Sequence, residues 1–142
     1  MQNKHSYLFR MANFLVGLGA IAPALTCQFA TPAHAQIIPD GTLSTSVTSS
    51  DTQNFVIDNG DRVGNNLFHS FDTFSIPTNG SAIFNNATTL ENIFGRITGN
   101  NISNVDGLIQ ANGIANVFLL NPNGIVFGEN ASLNIGGSFI AS

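Results

Sequence analysis

The sequence predicts an all-β protein wound as a parallel β-helix, and three observations carry that prediction. Short β-branched and aromatic runs recur along residues 36–142, each bounded by a turn signal rich in Gly and Asn. No stretch of ten residues combines a 3.6-residue apolar period with helix caps. The runs are continuous apolar triplets with Asn and Gly at their corners, a pattern that suits coils stacked on one another. A sandwich would show longer alternating strands with edges guarded by Lys or Pro, and residues 36–142 contain no Lys.

The elements follow in chain order. Residues 54–57 (NFVI) are one such run, closed by Asp58-Asn59-Gly60; residues 81–84 (SAIF) follow the Asn79-Gly80 turn. Residues 88–97 are the best helical candidate, because Leu90, Ile93, Phe94 and Ile97 fall at i, i+3, i+4 and i+7. Gly95 inside that stretch and Gly99 after it limit the expectation to one turn of helix. Residues 116–120 (NVFLL) come after Asn112-Gly113, residues 125–127 (IVF) after Asn123-Gly124, and residues 138–141 (SFIA) after Gly136-Gly137. From Leu108 onward strand and turn alternate about every ten residues. Nine Phe within residues 36–142 argue against a disordered low-complexity chain.

The N-terminus is a different kind of segment. Lys4, His5 and Arg10 open it, residues 14–25 (FLVGLGAIAPAL) are apolar, and a more polar stretch ends in Ala33-His34-Ala35. That is the layout of a secretory signal peptide over residues 1–35, with cleavage expected between Ala35 and Gln36. The apolar run of twelve residues is well short of the roughly 20 that span a bilayer as a helix. Thr26 before Cys27 is not the small residue that lipidation of that cysteine would need.

Only 8% of the 142 residues are charged, against roughly 25% in an ordinary domain. In residues 36–142, Arg62 and Arg96 face eight Asp and Glu, a net charge of −6. No basic surface exists to hold nucleic acid or an anionic membrane. Without cysteine the mature chain is no disulfide scaffold, so its stability rests on backbone pairing and packing.

One turn stands out. Asn121-Pro122-Asn123-Gly124 suits each position of a type I turn: Asn accepts bonds from its own turn, Pro arrives with φ near −65°, Asn tolerates the bridge region, and Gly relieves the exit. Alone, it reads as a well-made turn between two core strands, with Leu119, Leu120, Ile125 and Phe127 expected on its buried side.

The turn lies within residues 105–141, and that whole stretch resembles the N-terminal secretion domain of filamentous haemagglutinin-type exoproteins. These are the large passengers of two-partner secretion in Gram-negative bacteria and cyanobacteria. Residues 66–76 (NLFHSFDTFSI) and 92–99 (NIFGRITG) are similar to earlier segments of the same family, so the resemblance runs from about Ile38 to Ser142. It implies a right-handed parallel β-helix with a β-structured cap at its N-terminal end. It identifies residues 36–142 as a two-partner secretion (haemagglutination activity) domain. Asn121, Pro122, Asn123 and Gly124 match the family's second signature tetrapeptide and are followed by its usual Ile125. The first, Asn-Pro-Asn-Leu, is absent; the corresponding residues are Asn85-Asn86-Ala87-Thr88-Thr89-Leu90, closer to the cyanobacterial branch. The implied partner is an outer-membrane β-barrel transporter with POTRA domains, which leads the domain through its pore to become the first folded rungs outside. A host or cell-surface receptor falls to a passenger region beyond this sequence. The chain stops inside an apparent strand, Phe139-Ile140-Ala141-Ser142, which suggests truncation at its C-terminal end.

No catalytic constellation is visible. There is no G-x-S-x-G elbow, and His69, beside Phe68 and Phe71, is the lone mature histidine and reads as a packed or surface residue. One His without Cys makes no metal cluster, and Asp58 and Asp61 flank a turn without EF-hand or RTX spacing. Arg62 and Arg96 are 34 positions apart, too few and too scattered for the charged face of a polysaccharide lyase. Sequons at Asn79, Asn86, Asn101 and Asn130 read as accidents of an Asn-rich composition. The expectation is therefore a non-enzymatic secretion and targeting module of an adhesin-like exoprotein, without cofactor, small-molecule substrate or nucleic-acid partner. It would cross the inner membrane by its signal peptide, transit the periplasm, and end secreted or on the cell surface. The alternative is a stand-alone secreted carbohydrate-binding or surface-coat β-helix protein.

Overall fold

The computed structural model describes Pro23 and residues 36–142. The expected signal peptide and Cys27 lie outside the described residues, Pro23 apart. Among the described residues every regular element is a strand, and thirteen of them form three sheets.

Parallel pairing generates a solenoid of about four turns. On one face β3 (Asn54–Asn59), β6 (Ser81–Phe84), β9 (Leu108–Ala111) and β12 (Ser132–Asn134) stack in that order. On a second, β5 (Asn66–Phe74), β7 (Asn92–Ile97), β10 (Asn116–Leu120) and β13 (Phe139–Ala141) do the same. The third is shorter: β8 (Ser103–Val105) pairs with β11 (Ile125–Phe127), and Ile76 bridges to Val105. Each coil therefore visits the three faces in turn. Strands from β9 onward begin seven to nine residues apart, tighter than the spacing of about ten expected.

The first coil carries antiparallel additions. β1 (Ile37–Pro39) pairs with the end of β5, β2 (Thr45–Thr48) with β3, and β4 (Asp61–Val63) forms a hairpin with β5. They cover the N-terminal edge of the solenoid and are its β-structured cap, so that edge offers no unpaired parallel strand to a neighbour.

Residues 88–97 do not contain a helical turn. Residues 92–97 are β7, with Ile93, Gly95 and Ile97 inward and Asn92, Phe94 and Arg96 outward. The misleading spacing comes from Phe94, which is apolar yet lies outside. It stacks between Phe68 and Phe118, ring centroids 5.1 and 4.7 Å away and planes within 14° of parallel. A period of two was thereby masked as a period of 3.6.

Inward residues form one core. Leu67, Ile93 and Val117 share a row with half-buried Phe139, and Phe55 and Ala82 with Ile109. His69, Gly95 and Leu119 make a third row, where the missing side chain at Gly95 leaves room for Phe71; a Cβ there would lie 3.3 Å from the Phe71 ring. Corners are equally tight. A Cβ on Gly107 would sit 2.4 Å from the Gly80 carbonyl oxygen, and one on Gly136 2.1 Å from that of Gly113. Backbone thus packs on backbone where the coils bend.

Candidate functional site

The turn singled out in the sequence is the corner between β10 and β11. Its backbone closes with the Gly124 N–H donating to the Asn121 carbonyl at 3.0 Å. Asn121 is 2% exposed and uses both ends of its amide. Oδ1 accepts the Asn123 backbone N–H at 2.9 Å, while Nδ2 donates to the Asn101 carbonyl at 3.0 Å and to Ser103 Oγ at 2.9 Å. The first bond shapes the turn and the other two tie it to the coil beneath. Asn123 adds a second tie, Nδ2 to the Gly99 carbonyl at 2.7 Å, and the Ser103 N–H returns to the Gly124 carbonyl at 3.0 Å.

Gly124 has φ +107°, a left-handed value that L side chains avoid, with open space where a Cβ would point. Pro122 is exposed, and Ile125 is half-buried against the core. The five expected residues therefore form one continuous corner. Two of their expected neighbours depart from the reading: Leu120 and Phe127 are 39% and 44% exposed. Leu119 already points inward, so strand alternation turns Leu120 out. Phe127 belongs to the last strand of its sheet and meets Phe139 edge-on at 5.9 Å.

The corner borders a groove of about 460 Å³, lined by Arg96, Thr98, Asn100, Leu120, Pro122 and Asn123, without a carboxylate. His69 does not line this groove and is packed: 1% exposed, its ring 5.5 Å from Phe84 and 6.0 Å from Phe71. Thr45 Oγ1 accepts the Ser70 N–H at 3.2 Å and hydrogen-bonds His69 Nδ1 at 3.2 Å. His69 Nε2 is buried and meets no partner among the described residues. Burial pushes the His69 pKa down to about 4, against the pull of Asp58 and Asp61.

A polar cluster that the sequence reading did not find joins the cap to the solenoid. Asp40 accepts bonds from Ser70 Oγ (2.5 Å), Thr98 Oγ1 (2.7 Å), Thr42 Oγ1 (2.7 Å) and the Thr42 N–H (2.9 Å). Arg96 closes the ring through Ser70 Oγ at 2.9 Å and Thr42 Oγ1 at 3.0 Å. Desolvation raises the Asp40 pKa, but the hydrogen bonds from Ser70, Thr42 and Thr98 outweigh it and hold the carboxyl well below its usual range. The members are up to 58 positions apart, and only the scarcity of cations hinted that Arg96 had a task.

A solenoid of short rungs with an N-terminal cap and a tied Asn-Pro-Asn-Gly corner is matched by one family model, the TPS (two-partner secretion) secretion domain, over residues 35–142. The chain belongs to the TPS secretion domain family. Its sequence is also 36% identical over 72 residues to a heme/hemopexin-binding protein of Haemophilus influenzae, covering 51% of this chain and 7% of that relative. The chain thus spans a small part of that relative's length. No solved structure matches it. A TPS domain is a secretion module of a two-partner exoprotein, a class secreted across the outer membrane and not an enzyme family.

Proposed function

We propose that this TPS domain is the leading segment of an adhesin-like exoprotein and nucleates its folding outside the cell. Residues 1–35 direct the chain through the inner membrane and are removed after Ala35. In the periplasm an outer-membrane β-barrel transporter recognises the mature chain through its POTRA domains and passes it outward in an extended state. With few charges and no helix to unwind, residues 36–142 suit such threading. Each emerging coil then pairs with the one before, and a folded rung cannot re-enter the pore, so stacking makes movement one-way. Any receptor is contacted by the passenger region and not by this domain.

The observation that carries this reading is the corner at Asn121, Pro122, Asn123, Gly124 and Ile125. Its bonds to Gly99, Asn101 and Ser103 lock coil to coil at one place. The alternative of a carbohydrate-binding or coat protein gains little from the outer face. Phe94 has both ring faces covered by the stacked rings of Phe68 and Phe118, where a sugar would need a free ring face.

The test is secretion of a tagged full-length chain in a Gram-negative host with and without a cognate two-partner transporter, assayed in medium and periplasm. Transporter-dependent appearance in the medium is expected, and Asn121→Ala and Asn123→Ala should lower it at least several-fold. Equal release without the transporter overturns the secretion reading. Parent-like export and refolding of both variants overturns the role of the corner.

A further inference from the structure

Among the described residues two asparagines are buried, Asn121 and Asn86. Asn86 is 7% exposed and stands just past β6, where the second coil bends toward β7. Its Oδ1 accepts the backbone N–H of Asn112 at 2.8 Å, and its Nδ2 donates to the carbonyl of the same residue at 3.0 Å. Nδ2 also donates to the Ala87 carbonyl at 3.0 Å, and Asn112 Nδ2 returns to the Asn86 carbonyl at 3.1 Å. One side-chain amide thus pairs with both polar groups of a single residue in the next coil, as a backbone peptide does in a ladder. It continues the β6–β9 pairing, whose last partners are Phe84 and Ala111, around a bend where the backbone has turned away. The chain then closes tightly: Gly113 has φ +70°, and a Cβ there would lie 2.7 Å from the Thr88 carbonyl oxygen. Asn85 faces the other way, its Nδ2 donating to Asp58 of the first coil at 2.7 Å.

We propose that Asn86 is a positioning residue for folding, which selects Asn112 and so sets the register in which the third coil is laid on the second. This inference rests on the reading that coil stacking drives export. The chemistry demands asparagine. A one-residue slip of β9 on β6 would turn Ile109 and Ala111 outward, and the short strands supply few contacts to prevent it. An amide that must find an N–H and a C=O on the same residue discriminates between registers. Asp at this position would set a carboxylate oxygen against two carbonyl oxygens, Ala would leave both groups of Asn112 without partners in a part-buried corner, and Gln is one methylene too long. The Asn121 corner ties the third coil to the second one bend later, so Asn86 acts first in chain order.

The experiment measures refolding and unfolding rates against urea for the secreted, leader-free chain and its variants. Asn86→Ala should slow refolding by about tenfold or more while leaving unfolding within about twofold, as expected when the contact is made by the transition state. Asn112→Ala, which removes only the returning side-chain bond, should refold like the parent. Asn86→Asp should refold slowly at pH 7 and regain much of the parent's rate, measured at the same pH, below about pH 4, where a protonated carboxyl again offers one donor and one acceptor. Faster unfolding with unchanged refolding in Asn86→Ala would make the pair a late clamp and overturn the proposal. So would an Asn112→Ala variant as slow as Asn86→Ala. If Asn86→Ala does not fold, the Asp variant decides alone: no acid recovery refutes register selection. Transporter-independent release would sink the secretion reading while these rates still judge Asn86.

Discussion

Asn121 and Asn123 share a turn but not an energy. Asn121→Ala leaves buried Ser103 without its partner, breaks the part-buried bond to the Asn101 carbonyl and removes the bond that shapes the turn, a loss expected near 3 kcal/mol in urea unfolding. Asn123→Ala breaks an exposed tie and should cost about 1 kcal/mol in the same measurement. His69 makes stability depend on acid. Its folded pKa of about 4 lies below the ordinary 6.5, so the unfolded chain binds the extra proton. Stability should be flat in this respect above pH 6.5, fall between 6.5 and 4 by up to about 3 kcal/mol, and level off below. Asp40 acts in a lower window: its carboxyl is held down in the fold, so its contribution is complete above its unfolded value and is lost as pH drops beneath it. A His69→Leu variant should erase the first slope and keep the second; an unchanged slope between pH 6.5 and 4 would refute the assignment.

Strands and corners differ in how much of them a sequence displays. Residues 81–84, 116–120 and 125–127 were legible to the residue, because β-branched and aromatic runs followed Asn-Gly pairs with no competing helix pattern. Residues 92–97 were not, because an outside row of Phe rings looks apolar from sequence and masks alternation. The five residues of the Asn121 corner were visible as turn chemistry, whereas Asn86 and the Asp40 cluster were not, since their partners lie 26 to 58 positions away. Glycines give the sharpest test of the corners. Gly107→Ala places a methyl on the Gly80 carbonyl and should cost about 3 kcal/mol, or prevent folding. Gly124→Ala meets nothing and carries only the left-handed φ, about 1–2 kcal/mol. Comparable losses for the two in thermal unfolding would mean the corners are looser than they look.

At the scale of the whole molecule the ends are unlike. The first coil is covered by antiparallel strands and holds Phe71, Phe74 and His69 at 1% exposure or less, while all three residues of β12 are exposed. Amide exchange should therefore be slowest in β5 and β7 and fastest in β12, a gradient along the axis rather than one cooperative block. Uniform protection from β5 to β13 would contradict a nearest-neighbour solenoid.

The coils also differ in length without losing step. From Asn54 to Ser81 to Leu108 the repeat is 27 residues, then 24 to Ser132; on the second face it runs 26, 24 and 22. Side-chain rows nevertheless stay aligned, Asn66 over Asn92 over Asn116 through bonds of 2.8 and 3.0 Å. Length is absorbed at the bends and phase is kept in the rows. Evolution can therefore splice residues into a bend, lengthening one lap of the spiral, and every later lap still arrives on the beat.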